Sequence, residues 1–73
     1  MLTASQVRAA RAGLRWDRAE LSRVSGVSDW RLRCIEDEAR IGDVAMGAVQ
    51  AVRTAFEEAG VVFLDGAGLK LPS

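Results

Sequence analysis

Histidine is absent from this chain, and cysteine occurs once, at Cys34. A single thiol excludes an intrachain disulfide, and without imidazole no zinc ligand set is expected. A lone thiol fits a reducing compartment, so the expected location is the cytoplasm. No apolar run approaches the ~20 residues of a membrane span. The first residues also lack the pattern of a signal peptide. Enzyme chemistry has little to stand on. There is no Gly-rich phosphate loop and no nucleophile spaced to a base. The acidic run Glu36-Asp37-Glu38 cannot converge on one substrate from a helix end. Neither a catalytic residue nor a cofactor is expected.

Net charge is missing as well, with 10 basic against 10 acidic residues in 73. The distribution is uneven. Residues 1–34 hold seven Arg against Asp17, Glu20 and Asp29, a surplus of four positive charges. Residues 35–73 hold three basic residues against seven acidic ones, a surplus of four negative charges. Such polarity can steer a polyanion even when the sum is zero, although chance segregation on a solvated surface gives the same count. The length corresponds to one domain with a modest core, for which self-association is a common support.

The most informative stretch runs from Arg18 to Glu36, R-A-E-L-S-R-V-S-G-V-S-D-W-R-L-R-C-I-E. It predicts two short helices, about 18–25 and 29–37, around a tight turn at Ser25-Gly26-Val27. Leu21, Val27, Leu32 and Ile35 point inward. Gly26 supplies the left-handed residue that ends the first of these helices. Ser28 caps the second, and Ser22 is small enough for a close crossing. The outer face of the second helix then carries Asp29, Trp30, Arg31, Arg33 and Cys34. This is the shape of a helix-turn-helix, whose second helix enters the major groove of DNA.

Before it, a helix over about 4–14 is expected, with Thr3 and Gln6 spaced as a capping box. Val7, Ala10 and Leu14 form its inner face, and Trp16 plugs the corner that follows. Asp17 and Glu20 read as a second capping box. After it, Gly42 and Asp43 read as turn and cap for a helix over about 44–59, with an apolar stripe at Val49, Val52, Phe56 and Ala59. Gly60 ends that helix.

The tail, V-V-F-L-D-G-A-G-L-K-L, reads as a β-hairpin. A two-residue turn at Gly66-Ala67 places Leu64 opposite Leu69 and Val62 opposite Leu71. Those four share one side, and Val61, Phe63 and Lys70 share the other. Both sides are apolar. Either both tuck against the helices, or one side or a strand edge meets a second copy of the chain. The division expected is a helical DNA-binding part at 1–60 and a hairpin at 61–73 that serves as a dimerisation element.

The frame L-T-A-x-Q-x-R-A-A-R-A-x-L-x-W-x-x-x-E-L-x-x-x-S-G-V-S-x-x-x-L-x-x-I-E, followed by A-F-E-E-A-G-V-V-F at 55–63, resembles the XRE-type, lambda-repressor-like helix-turn-helix regulators. The resemblance covers about residues 3–60. It implies a mainly α, four- to five-helix domain, here with a short C-terminal β-hairpin or strand pair, binding a palindromic operator as a dimer. It implies a phosphate or groove-edge contact for Arg18 and a phosphate contact for Ser28. Base-edge positions fall on Asp29, Trp30, Arg33 and Cys34. An ion pair between Arg11 and Glu36 is implied too. Departures from the pattern are Arg18 for a usual Gln, Asp17 for a Ser cap, Arg15 for a common Gly, and the acidic run after Ile35.

Each site residue has a plainer reading beside the functional one. Arg31 and Arg33 suit guanine or phosphate, and equally a solvated surface. Trp30 suits a thymine methyl, a sugar edge, a partner protein, or packing on its own domain. Asp29 suits the helix dipole or an acceptor role toward cytosine. Cys34 suits a small groove-facing or half-buried position. Arg8, Arg23 and Arg40 are candidates for flanking phosphates. Two functions are therefore open: a homodimeric, sequence-specific transcriptional regulator on double-stranded DNA, or a protein-interaction module of the same fold, as in an antitoxin or a regulatory subunit.

Overall fold

A computed structural model describes residues 2–66 and 68–73. The described residues form four α-helices, a 3-10 turn and a two-stranded antiparallel sheet. The helices are α1 (Ala4–Gly13), α2 (Arg18–Ser25), α3 (Asp29–Ile35) and α4 (Met46–Glu58). The strands are β1 (Val62–Phe63) and β2 (Leu69–Lys70). No helix among the described residues is long and apolar enough to cross a membrane.

The core is built from most of the stripes that the spacing marks out, but Ala59 of the expected α4 stripe stays outside it and Ala55 is buried instead. Val7 and Ala10 of α1, Leu21 of α2, Leu32 and Ile35 of α3, and Val49, Val52 and Phe56 of α4 are all buried in one cluster with Val27 and Val61. Three of the four aromatic residues form a stack across it. Trp16 lies on Phe56 with ring centroids 5.7 Å apart, and Phe56 meets the edge of Phe63 at 6.0 Å. Trp16 thus fills the corner between α1 and α2 as expected. Trp30, the fourth aromatic, stays outside at 65% exposure.

Capping explains most helix ends. The Thr3 hydroxyl accepts from Gln6 N, and the Gln6 side chain accepts from Thr3 N, the full reciprocal box. Asp17 accepts from Glu20 N, but its expected counterpart is missing: the Glu20 carboxylate turns to Arg23 instead. The turn between α2 and α3 is held by Gly26 at φ 73° and by the Ser22 hydroxyl, which donates to Val27 O at 2.7 Å. A Cβ at residue 26 would meet nothing, so the glycine is required by its backbone angle alone. Arg15 occupies the left-handed region at φ 58° without being glycine, a conformation that costs about 1–2 kcal/mol.

Two boundaries differ from the expectation by two residues each. Helix α3 ends at Ile35 rather than near 37, because Glu36 is drawn back toward α1 and Asp37 forms a side-chain turn onto Ala39 N. Helix α4 starts at Met46 rather than 44. A 3-10 turn over Ile41–Asp43 takes up the preceding residues, and Val44 is extended. Asp43 therefore caps nothing; the N-cap is Ala45, which has no side-chain acceptor.

The hairpin register is shifted by one. Val62 pairs with Lys70 and Phe63 with Leu69, and Leu64 N donates to Gly68 O. The expected Gly66-Ala67 turn includes Ala67, which lies outside the described residues. A one-residue slip exchanges the faces of one strand relative to the other. Phe63 and Leu69 now pack together on the core with Val61, and Val62 stands outward across from Lys70. The turn is pinned by Gln6, a buried polar side chain whose Nε2 donates to Leu64 O and Gly68 O. Leu71 covers Gly13 so closely that a Cβ there would collide with the leucine methyls.

Candidate nucleic-acid interface

The two helices that the sequence singles out meet at the Gly26 turn, with Leu21, Val27 and Leu32 sealed between them. Burying those side chains fixes which way the others face. Asp29, Trp30, Arg31 and Arg33 of α3 are exposed, and Cys34 is half-buried. Ser28 is exposed at the N-cap of α3, its hydroxyl accepting from Arg31 N at 3.3 Å. Arg18, the first residue of α2, is half-buried beside them. All seven candidate residues thus lie between the start of α2 and the end of α3, and six of them belong to α3 or its cap.

Asp29 is the electrostatic centre of this face. Arg33 Nε donates to Asp29 Oδ2 at 2.9 Å, one turn along the same helix. Arg18 Nε lies 3.8 Å from Asp29 Oδ1, reaching across from α2. One carboxylate therefore stands between two guanidiniums. Its place in the first turn of α3 also favours negative charge there. Among the described residues, Arg31 has no carboxylate within ion-pair distance.

Trp30 borders a shallow groove shared with Cys34, Asp43 and Val44. The Arg40 guanidinium lies over the indole, 5.9 Å from the ring centroid. Arg40 is also 3.7 Å from Asp37. This pairing of the loop with α3 was invisible in the sequence, since nothing in the spacing of residues 30 and 40 crosses a helix end. The Asp29–Arg33 contact was readable, because the two are four apart on one helix.

The α3 face is supported from behind by an ion pair. Arg11 Nε donates to Glu36 Oε2 at 2.9 Å, and Arg11 Nη2 to Glu36 Oε1 at 3.2 Å, a two-pronged contact. Arg11 Nη1 also donates to Trp16 O. The Glu36 side chain is 8% exposed. Arg8 adds a bond to Glu36 O at 2.6 Å and lies near Glu38. Arg8 and Arg23, both phosphate candidates from the sequence, are thus engaged with carboxylates of the chain itself. Arg23 holds Glu20, whose carboxyl is kept below its usual range by the Arg23 hydrogen bond.

No protein-family model matches the chain, and no match is found among curated proteins or solved structures. The geometry alone must therefore carry the functional reading. It offers an exposed ridge about two turns long, with the Trp30 indole outermost, Arg31 and Arg33 on its two flanks, and Arg18 and Arg40 beside it. Guanidiniums on such a ridge can grip phosphate or the guanine edge, and the indole can cover a methyl group or sugar.

Proposed function

We propose that the chain is a sequence-specific binder of double-stranded DNA, a transcriptional regulator of the lambda-repressor-like, XRE-type kind acting in the cytoplasm. Helix α3, residues 29–35, lies in the major groove. Arg33 and Arg31 read base edges or phosphate, Trp30 covers an apolar edge, and Arg18 and the Ser28 hydroxyl meet the flanking backbone. The observation that carries this reading is the exposure of Trp30, Arg31 and Arg33 on a helix whose other side is sealed by Leu32 and Ile35.

The protein acts as a homodimer on a palindromic site, with half-sites about one helical turn, ~34 Å, apart. The hairpin supports this: Val62, Leu64 and Leu71 remain 54%, 43% and 46% exposed on the folded chain. Apolar residues on a two-stranded ribbon favour cover by a second copy.

The test is Arg33→Ala, measured on a preferred duplex and on random duplex at the same salt. A base-reading Arg33 loses roughly 1–3 kcal/mol on the preferred site and much less on random DNA. An equal loss on both leaves Arg33 only a phosphate role.

A second reading keeps the fold and replaces DNA by a protein partner, as in an antitoxin or regulatory subunit. The Asp29 carboxylate between Arg18 and Arg33 favours it, since it brings negative charge to the face. Retention of a partner on pull-down, with no duplex binding at low salt, distinguishes this reading from the first.

A further inference from the structure

On the DNA-binding reading above, we propose that Asp29 is a positioning residue that sets specificity: it clamps Arg33 by its Nε edge, leaving the paired Nη groups of that guanidinium to face the nucleic acid.

The geometry supports each step. A guanidinium presents five N–H groups in a rigid fork, one on Nε and two on each Nη. Asp29 takes the Nε edge of Arg33 through a 2.9 Å hydrogen bond and faces the Nε of Arg18 at 3.8 Å. Neither guanidinium has an Nη hydrogen bond to another described residue. The edge left open is the one that grips guanine O6 and N7, or a phosphate, with two parallel bonds. A free arginine samples many rotamers and pays that entropy on contact. A clamped one pays less, and it is aimed at one place on the groove floor.

The same carboxylate also weakens attraction to phosphate wherever the protein lands. That loss is common to every duplex, so specificity, a difference of affinities, rises through the aimed Arg33 contact. The clamp's role in stability is small, because the pair is exposed and four apart on one helix.

The experiment compares wild type, Asp29→Asn, Arg33→Ala and the double variant. Two duplexes of equal length are used at one stated salt: a sequence enriched by the wild type from a randomised pool, and a random sequence. Asp29→Asn is expected to bind the random duplex several-fold more tightly, with a salt dependence steeper by about one phosphate contact. Its preference for the enriched sequence over the random one is expected to fall about tenfold. In the Arg33→Ala background the same change should leave the preference unaltered, since the clamped group is gone. An undiminished preference in Asp29→Asn overturns the proposal while leaving DNA binding intact. Wild type that binds neither duplex overturns the DNA reading, and this proposal with it. The free protein gives an independent measure: the Arg33 Nε–H resonance should be ordered in wild type and mobile in Asp29→Asn. Equal mobility in the two proteins means that there is no clamp.

Discussion

Arg11 serves two neighbours at once, and both matter to the face of α3. Its two-pronged contact fixes Glu36 at the end of α3, and its third bond holds the carbonyl of Trp16 in the corner before α2. Removing the guanidinium strands a nearly buried carboxylate. Arg11→Ala is expected to lower stability by about 2–3 kcal/mol, read from the denaturant midpoint. A change below about 0.5 kcal/mol means that the pair only decorates the surface. This contact was readable at the residue level through the family resemblance, not through spacing. Glu20 shows the opposite case. It has the spacing of a capping box with Asp17, yet it pairs with Arg23, because a charged partner three residues along competes well with a backbone N–H at an exposed end.

At the scale of elements, the helices were readable and the hairpin register was not. Apolar residues three and four apart place α1, α2 and the inner sides of α3 and α4, and Gly26 and Gly60 place two of the stops. The tail carries apolar residues at nearly every position, so alternation could not tell inside from outside. Two features of the fold decide it. Phe63 must reach the Trp16–Phe56 stack, and the carbonyls of Leu64 and Gly68 must reach Gln6. From the sequence Gln6 is only a capping residue. Its amide nitrogen does the second task, one that a local spacing rule cannot reveal. Gln6→Ala removes the cap partner, takes the Gln6 donor from Leu64 O, and leaves Gly68 O with Leu64 N as its donor. It should cost about 1–3 kcal/mol and speed amide exchange at Leu64 more than in α4. Uniform exchange across the chain would show that the hairpin is not held by Gln6.

For the whole molecule, the separation of charge seen in the sequence is partly cancelled in the fold. Arg8 and Arg11 of the basic half are spent on Glu36 and Glu38 of the acidic half. Around α3, Arg18 and Arg33 share the single carboxylate of Asp29, Arg40 lies near Asp37, and Arg31 has no ion pair among the described residues, so positive charge outnumbers negative there. The described chain measures 32 × 26 × 18 Å, a size at which two touching copies can set equivalent α3 helices about one DNA turn, ~34 Å, apart. Leu64→Glu adds charge at an exposed hairpin position, so the fold should survive it. Sedimentation should show wild type gaining mass with concentration and the variant staying monomeric. A wild-type mass that stays at one chain over all concentrations removes the dimer.

The most direct measurement of the central claim is a selection from a pool of randomised duplexes at ~100 mM salt, where nonspecific phosphate binding is weak enough to let sequence preference emerge. Wild type should enrich two inverted half-sites spaced by about one helical turn, and the Arg31, Arg33 double alanine variant should enrich nothing. A wild-type pool that stays random, together with no duplex binding when the salt is lowered, would contradict the assignment of α3 as a reader of DNA.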